Sequence, residues 1–303
     1  MRICSLLPSA TEIAYAIGAG DSILGVSHEC DYPPAAAAKP SLLRPRIDPQ
    51  AAPAEIDRQV SEIIARGESI YAVDAELLAS LSPDLILTQD LCHVCAASPD
   101  DLATALARFA TPPQVLSLTP RSLAEVWGDV RRVGAATGRI RQAESVAHAL
   151  EQQVAAIAAT ASGAPVRPRV VCLEWLDPCY VGGHWIPEMV FHAGGEDVLG
   201  RVREPSFRVT ADEIQNLRPD VVIVMPCGYN AARAAKEFHA SKFAAASQNL
   251  PAAQSRRIFA VDANAYFSRP GPRLAEGVAL LAHLLHPNLF PASSVTASSF
   301  LNL

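Results

Sequence analysis

Aromatic residues are scarce, with Phe, Trp and Tyr making up 6% of the 303 residues. Each aromatic beside a motif therefore carries weight. Charge is also sparse at 18%, and the balance is acidic, with a net charge of −6 and a sequence pI near 5.8. Without a basic face, nucleic acid is excluded as the main partner. No apolar stretch reaches membrane-spanning length. No glycine loop suited to phosphate is present, since GAGD at 18–21 reads as a helix end. Nothing resembles an activated nucleophile, so no catalytic residue is named and an enzyme is not expected. The first residues show no charged n-region, apolar h-region and cleavage site. The expected compartment is therefore the cytoplasm, with the periplasm as the alternative. Global disorder is excluded in turn, because half of the residues are hydrophobic.

What is present includes a repeat. LASLSPDLILTQ at 78–89 is echoed by IQNLRPDVVIVM at 214–225. Each copy reads as a helix end, a turn at Pro-Asp, and an uninterrupted apolar strand. Such a run fits a parallel strand covered on both faces. Two copies this far apart predict an α/β fold of two similar lobes.

The remaining pattern agrees with that division. Residues 1–120 alternate short apolar strands with helical patterns and predict an N-terminal α/β lobe. Ser9 or Thr11 is the expected cap of its first helix. Residues 121–162 recur at helical spacing and predict a connecting helix, with a weak point near Gly138. Residues 163–290 predict a C-terminal α/β lobe, with an alanine-rich helix near 231–246. The Ser- and Ala-rich tail at 291–303 is expected to fray.

In open parallel sheets, ligands bind beyond the carboxyl ends of the strands. The unusual residues concentrate in the segments predicted there: His28-Glu29-Cys30, Gln89 to Cys95, Glu174 to Trp185, Pro226-Cys227-Gly228 and Asn264 to Arg269. Rigid lobes presenting aromatic loops describe a ligand cleft.

Four segments carry a family resemblance: RICSLLPSATEIAYAIGAGDSILGVSHECDYPP, DAELLASLSPDLILTQ, LEWLDPCYVGGHWIPEMVFHAGGED and AYFSRPGPR. Together they resemble the vitamin B12 (cobalamin) binding proteins of bacterial ABC importers, over nearly the whole chain. The wider group includes siderophore and haem binding proteins with a long-helix hinge. The resemblance implies two α/β lobes joined by one long helix, with the ligand held between them. It implies a corrinoid ligand, most directly cobalamin, with an iron-siderophore or haem as the alternative. Tyr180 and Tyr266 match aromatics set against the corrin ring, and Tyr32 lies in a loop that approaches the ligand. Glu76 and Glu196 match acids that dock onto arginines of an ABC permease. A monomer is expected.

The departures define a cysteine-rich branch: HEC at 28–30, CHVC at 92–95, Gln89 in place of an aromatic, Glu174-Trp175 and His184-Trp185. His28, Cys30, Cys92, His93 and Cys95 together suggest a metal ion, since thiolates and imidazoles suit zinc. The competing reading is small buried thiols that pack two loops, because only one C-x-x-C pair exists. Trp175 and Trp185 are either pocket walls or lobe core. A cytoplasmic protein or enzyme handling a metal or tetrapyrrole through these loops is a further alternative.

Overall fold

The computed structural model describes residues 1–89, 99–291 and 299–303. The chain divides into two compact units. The first comprises Met1–Ala51, Glu55–Pro120 and Glu125–Ala149; the second comprises Ala52–Ala54, Arg121–Ala124 and Leu150–Leu303.

Among the described residues the first unit holds six strands: β1 (Ile3–Ser5), β2 (Ile23–Gly25), β3 (Leu43–Pro45), β4 (Tyr71–Val73), β5 (Leu85–Thr88) and β6 (Gln114–Ser117). Four of them form a parallel sheet in the order β2-β1-β5-β6, while β3 and β4 pair antiparallel. The apolar run of the first echo copy is β5, buried at every residue. Cys4, Leu6, Leu42, Leu78 and Ile86 pack together around it. Burying one such side chain stabilises by roughly 1.5–3 kcal/mol.

The second unit holds β7 (Arg169–Leu176), β8 (Cys179–Val181), β9 (Glu196–Asp197), β10 (Phe207–Arg208), β11 (Val221–Val224), β12 (Ile258–Val261) and β13 (Phe300–Asn302). They form one sheet in the order β10-β8-β7-β11-β12-β13, with β9 also pairing β7. The parallel centre β7-β11-β12 repeats the β1-β5-β6 arrangement of the first unit.

The echo has a physical basis. After the helix Ala75–Leu81, Ser82 takes a left-handed φ of 41°. The Asp84 carboxylate then accepts the Arg2 N–H at 2.7 Å, and the Arg2 guanidinium donates to the Leu81 carbonyl. In the second unit Arg218 turns at φ 49° after the helix Ala211–Leu217. Asp220 accepts the Arg169 N–H at 2.9 Å, and Arg169 donates to the Leu217 carbonyl at 3.0 Å. Each aspartate fixes the start of the neighbouring strand, and each arginine satisfies an orphan carbonyl at a helix end.

Three local expectations meet a different structure, and the expected weak point near Gly138 is a break. The segment at 121–162 is two helices, Leu123–Ala136 and Ile140–Ala161, separated where Gly138 takes a φ of +68°. The alanine-rich helix is likewise two, Ala231–Ala240 and Lys242–Ala246, because the Ser241 side chain accepts the Ala244 N–H and starts a new helix. The first helix begins at Pro8 with no side-chain cap, since proline presets the helical φ and has no N–H to satisfy. Thr11 instead bonds Ser5 Oγ at 2.9 Å. The end of the tail does not fray: β13 pairs antiparallel with β12, with the Phe300 ring edge-on to Phe259 at 6.1 Å.

Candidate functional site

In the first unit, β2 leads into Ser27, His28, Glu29 and Cys30. The His28 ring packs against Tyr71 at a centroid distance of 5.3 Å. Burial lowers its pKa, and Glu29, 3.9 Å away, opposes that shift only in part. Cys30 is buried, its Sγ 3.2 Å from Thr11 Oγ1. Among the described residues no three His, Cys, Asp or Glu side chains gather as a metal site. Cys92, His93 and Cys95 lie outside the described residues. Cys4, Cys172 and Cys179 are core thiols, with burial pushing Cys4 up to about 12 and Cys179 up to about 11, whereas Cys227 is exposed.

Tyr32 is 46% exposed, on the loop that follows Cys30. Gln89 is buried just beyond β5, so its amide belongs to the floor of that strand end rather than its surface. Glu76, in the first turn of its helix, has a side chain 88% exposed, with Arg108 at 3.9 Å.

The second unit groups its aromatics at one edge of the sheet. Trp175 on β7 stands in register with Tyr180 on β8, and Tyr180 with Arg208 on β10. The Arg208 Nε donates to the Tyr180 hydroxyl at 2.6 Å, and its guanidinium lies 5.3 Å from that ring. Trp175 donates its indole N–H to the Pro53 carbonyl at 3.3 Å and tilts against Tyr229 at 5.5 Å. The Arg233 guanidinium sits 3.9 Å above the Tyr229 ring. Each cation thus rests on an aromatic face, where the ring quadrupole attracts it.

Two loops brace this edge. Glu174 accepts a hydrogen bond from the Ser206 hydroxyl. His184 turns at φ 52°, donates its backbone N–H to Glu204 at 2.7 Å and accepts from the Arg203 N–H at 3.0 Å. Gly183 presses on the Glu204 carbonyl and leaves no room for a side chain. Burial, with Arg121 second, lowers the His184 pKa, so the ring is neutral at pH 7.

Trp185 takes the second of its two expected places. It is 5% exposed and donates its N–H to the Phe267 carbonyl at 2.8 Å, which makes it lobe core. Tyr266 is half-buried at the end of the short helix Ala263–Tyr266, with Ser299 Oγ at 3.5 Å from its hydroxyl. Glu196 is exposed on β9. Gly194, at φ +86°, ends the preceding helix and sets that strand; a Cβ there would lie 2.7 Å from His286 Nε2.

Sequence reasoning missed Arg208 and Arg233, and it met Tyr229 only as part of the loop PCGYN after the second echo copy. Tyr229 lies one residue beyond the Pro226-Cys227-Gly228 segment singled out above. The arginines had no signal, because pairing across strands and helices is not written in local spacing.

Comparison with known proteins places the chain. A model of the periplasmic binding protein family matches residues 3–265. The Vitamin B12-binding protein of Vibrio cholerae serotype O1 is 24% identical over 278 residues, 91% of this chain and 86% of that protein. The ABC transporter substrate-binding lipoprotein YvrC of Bacillus subtilis is 26% identical over 299 residues, 95% of this chain and 81% of that protein. The apo structure of the periplasmic heme-binding protein RhuT from Roseiflexus sp. RS-1 shares the fold at a TM-score of 0.72 and 23% identity. That match covers 95% of this chain and 98% of RhuT. Among the described residues no helix is long and apolar enough to cross a membrane. The chain belongs to the periplasmic binding protein family, the substrate-binding proteins of ABC importers, and is not an enzyme.

Proposed function

We propose that this chain binds a corrinoid, cobalamin in the first instance, and delivers it to an ABC permease. The observation that carries the reading is the row of Trp175, Tyr180 and Arg208 at one level of three neighbouring strands. Flat aromatic faces suit a large, partly apolar macrocycle, and cross-strand pairing keeps them rigid. The resemblance to B12-binding proteins over most of the chain supports the same ligand. Tyr32 and Tyr266 are assigned to the ligand, and Glu76 and Glu196 to the permease. The family's character and the lipoprotein relative favour the periplasm over the cytoplasm.

One specific observation favours a second ligand, haem. Arg208 on Tyr180 and Arg233 on Tyr229 place two cations beside aromatic rings, which suits a flat ligand that carries carboxylates.

The test is titration of the purified protein with cyanocobalamin, hydroxocobalamin and haemin, followed by visible absorbance and calorimetry. A spectral change and measurable heat at micromolar cobalamin are expected. Trp175→Ala should weaken binding by about tenfold or more. Absence of both signals overturns the corrinoid reading, and a Soret band with haemin alone puts haem in its place. Charge reversal at Glu76 and Glu196 should abolish uptake while leaving cobalamin binding intact.

A further inference from the structure

The row of Trp175, Tyr180 and Arg208 extends beyond its three strands. Trp175 tilts against Tyr229 at 5.5 Å, and the Arg233 guanidinium lies 3.9 Å from the Tyr229 ring. Five residues of the second unit therefore follow one another: Arg208, Tyr180, Trp175, Tyr229 and Arg233. A cation stands at each end, with rings between. We propose that Arg233 determines specificity at this site, selecting corrinoids that carry a phosphodiester over those that lack one. This role rests on the corrinoid reading above and adds to it the group by which complete and incomplete corrinoids are told apart.

The two cationic ends are not equivalent. Arg208 is exposed on the edge strand β10, and its Nε donates to the Tyr180 hydroxyl at 2.6 Å. Its charge faces water and is screened by salt. Arg233 is half-buried in the first turn of the helix Ala231–Ala240, where the Asn230 side chain accepts its backbone N–H at 2.9 Å. Its Nη2 donates to the Tyr229 hydroxyl at 3.2 Å, and Tyr229 is itself 3% exposed. The cap, the buried ring and the hydroxyl thus hold this guanidinium in one place. A fixed, half-buried cation is screened less than an exposed one. The planar fork of a guanidinium also matches phosphate oxygens, and the charge-assisted hydrogen bonds it makes to them are strong.

The chemistry of the ligand's rim selects the partner of this cation. Trp175 and Arg233 touch the same Tyr229 ring, so a flat body laid on Trp175 brings its rim toward the guanidinium. The rim of a corrin carries neutral amides. A complete corrinoid adds a nucleotide loop, joined through a phosphodiester that is anionic at neutral pH. An amide offers Arg233 an acceptor without a charge, whereas the phosphodiester offers both. Loss of the loop therefore leaves the flat face bound by Trp175 and Tyr180 and removes the ionic contact alone. Haem carries carboxylates at its rim, and that anion is the competing source of the same charge.

The whole chain is titrated by calorimetry with cyanocobalamin and with aquocyanocobinamide. These share the corrin ring, its amides and an axial cyanide, and only the first has the nucleotide loop. The wild type should prefer cyanocobalamin by about tenfold. Arg233→Gln should remove most of that preference, Arg233→Lys should keep part of it, and 1 M NaCl should reduce it severalfold in the wild type. Arg208→Gln should weaken both ligands alike and leave the ratio unchanged. If Arg233→Gln loosens Tyr229, both affinities fall together and the ratio still reports the phosphodiester. A wild-type ratio near one, a ratio indifferent to Arg233→Gln, or a ratio lost at Arg208→Gln instead overturns the assignment. Haemin binding that depends on Arg233 where cobalamin binding does not puts a carboxylate in place of the phosphodiester and also overturns it. Binding of both corrinoids with equal affinity removes this inference alone. Binding of neither removes the corrinoid reading and this inference with it.

Discussion

The Pro-Asp turn at 83–84 and the one at 219–220 perform the same task in two surroundings. Both aspartates accept an N–H at the start of the adjacent strand, from Arg2 just before β1 and from Arg169 at the first position of β7. Both turns lead into the central strand of a parallel triplet, β1-β5-β6 in one unit and β7-β11-β12 in the other. The flanks differ. The first unit adds β2 as a parallel neighbour, whereas the second adds the antiparallel hairpin β7-β8 and the edge strand β10. That hairpin and edge strand carry Trp175, Tyr180 and Arg208. The shared triplet therefore supplies rigidity, and the departure from it supplies the aromatic edge.

The largest test of this equivalence is in the two central strands. Leu87 and Ile223 each lie three residues past the turn aspartate and are fully buried. Truncation of either to alanine should destabilise by about 3 kcal/mol, as measured by denaturant unfolding. A loss at Leu87 less than half of that at Ile223 would show that the two triplets do not bear equal shares of the packing.

The next effect depends on pH. Among the described residues each unit holds one carboxylate with a buried oxygen that lacks a partner: Asp129 in the first and Asp197 in the second. Burial pushes both from 3.8 up to about 6. The folded state then holds the proton more tightly than the unfolded state. The associated stability is complete below pH 3.8, is lost as pH rises to about 6, and stays lost above it. For Asp197 this amounts to about 3 kcal/mol. For Asp129 it is less, because Arg132 bonds its other oxygen at 2.8 Å and opposes the shift. Asp197→Asn keeps an acceptor for its two backbone bonds. It should match the wild type at pH 4 and exceed it in melting temperature at pH 7, with Asp129→Asn showing a smaller gain. A wild-type advantage for Asp197 at pH 7 would mean that its oxygen is satisfied in solution.

Much of this was legible in the sequence, and what was not has physical reasons. The echo disclosed the strands because buried parallel strands need uninterrupted apolar runs, and Val221–Val224 is one. The weak point at Gly138 marked a real break because the chain there takes a positive φ. Trp185 and Trp175 looked alike, yet one is core and the other edges the aromatic row. What separates them is the Phe267 carbonyl, 82 residues away in sequence, which no local pattern records. The tail misled for a similar reason, since β13 gains its order from ladder bonds to β12 and from Phe259. Asp197 looked like any loop acid. Its orphan oxygen follows from the fold of residues 187–202 around it.

The smallest effect probes the turn itself. Asp84 is exposed, so Asp84→Ala removes one charge-assisted hydrogen bond that water replaces in part, at a cost of about 1 kcal/mol. Asp220 is partly buried and also stands near Arg257, whose pKa burial lowers and Asp220 raises. Arg257 is anchored to the Leu284 and Leu285 carbonyls, which restricts its escape to water. Asp220→Ala therefore leaves the Arg169 N–H without its acceptor and a half-buried cation without its counter-charge, so about 2 kcal/mol is expected. The double variant Asp220→Ala, Arg257→Leu separates the two contributions. Recovery of about half the loss assigns that half to the cation. No recovery assigns the whole effect to the strand-opening hydrogen bond and makes the two turns more alike than their surroundings imply.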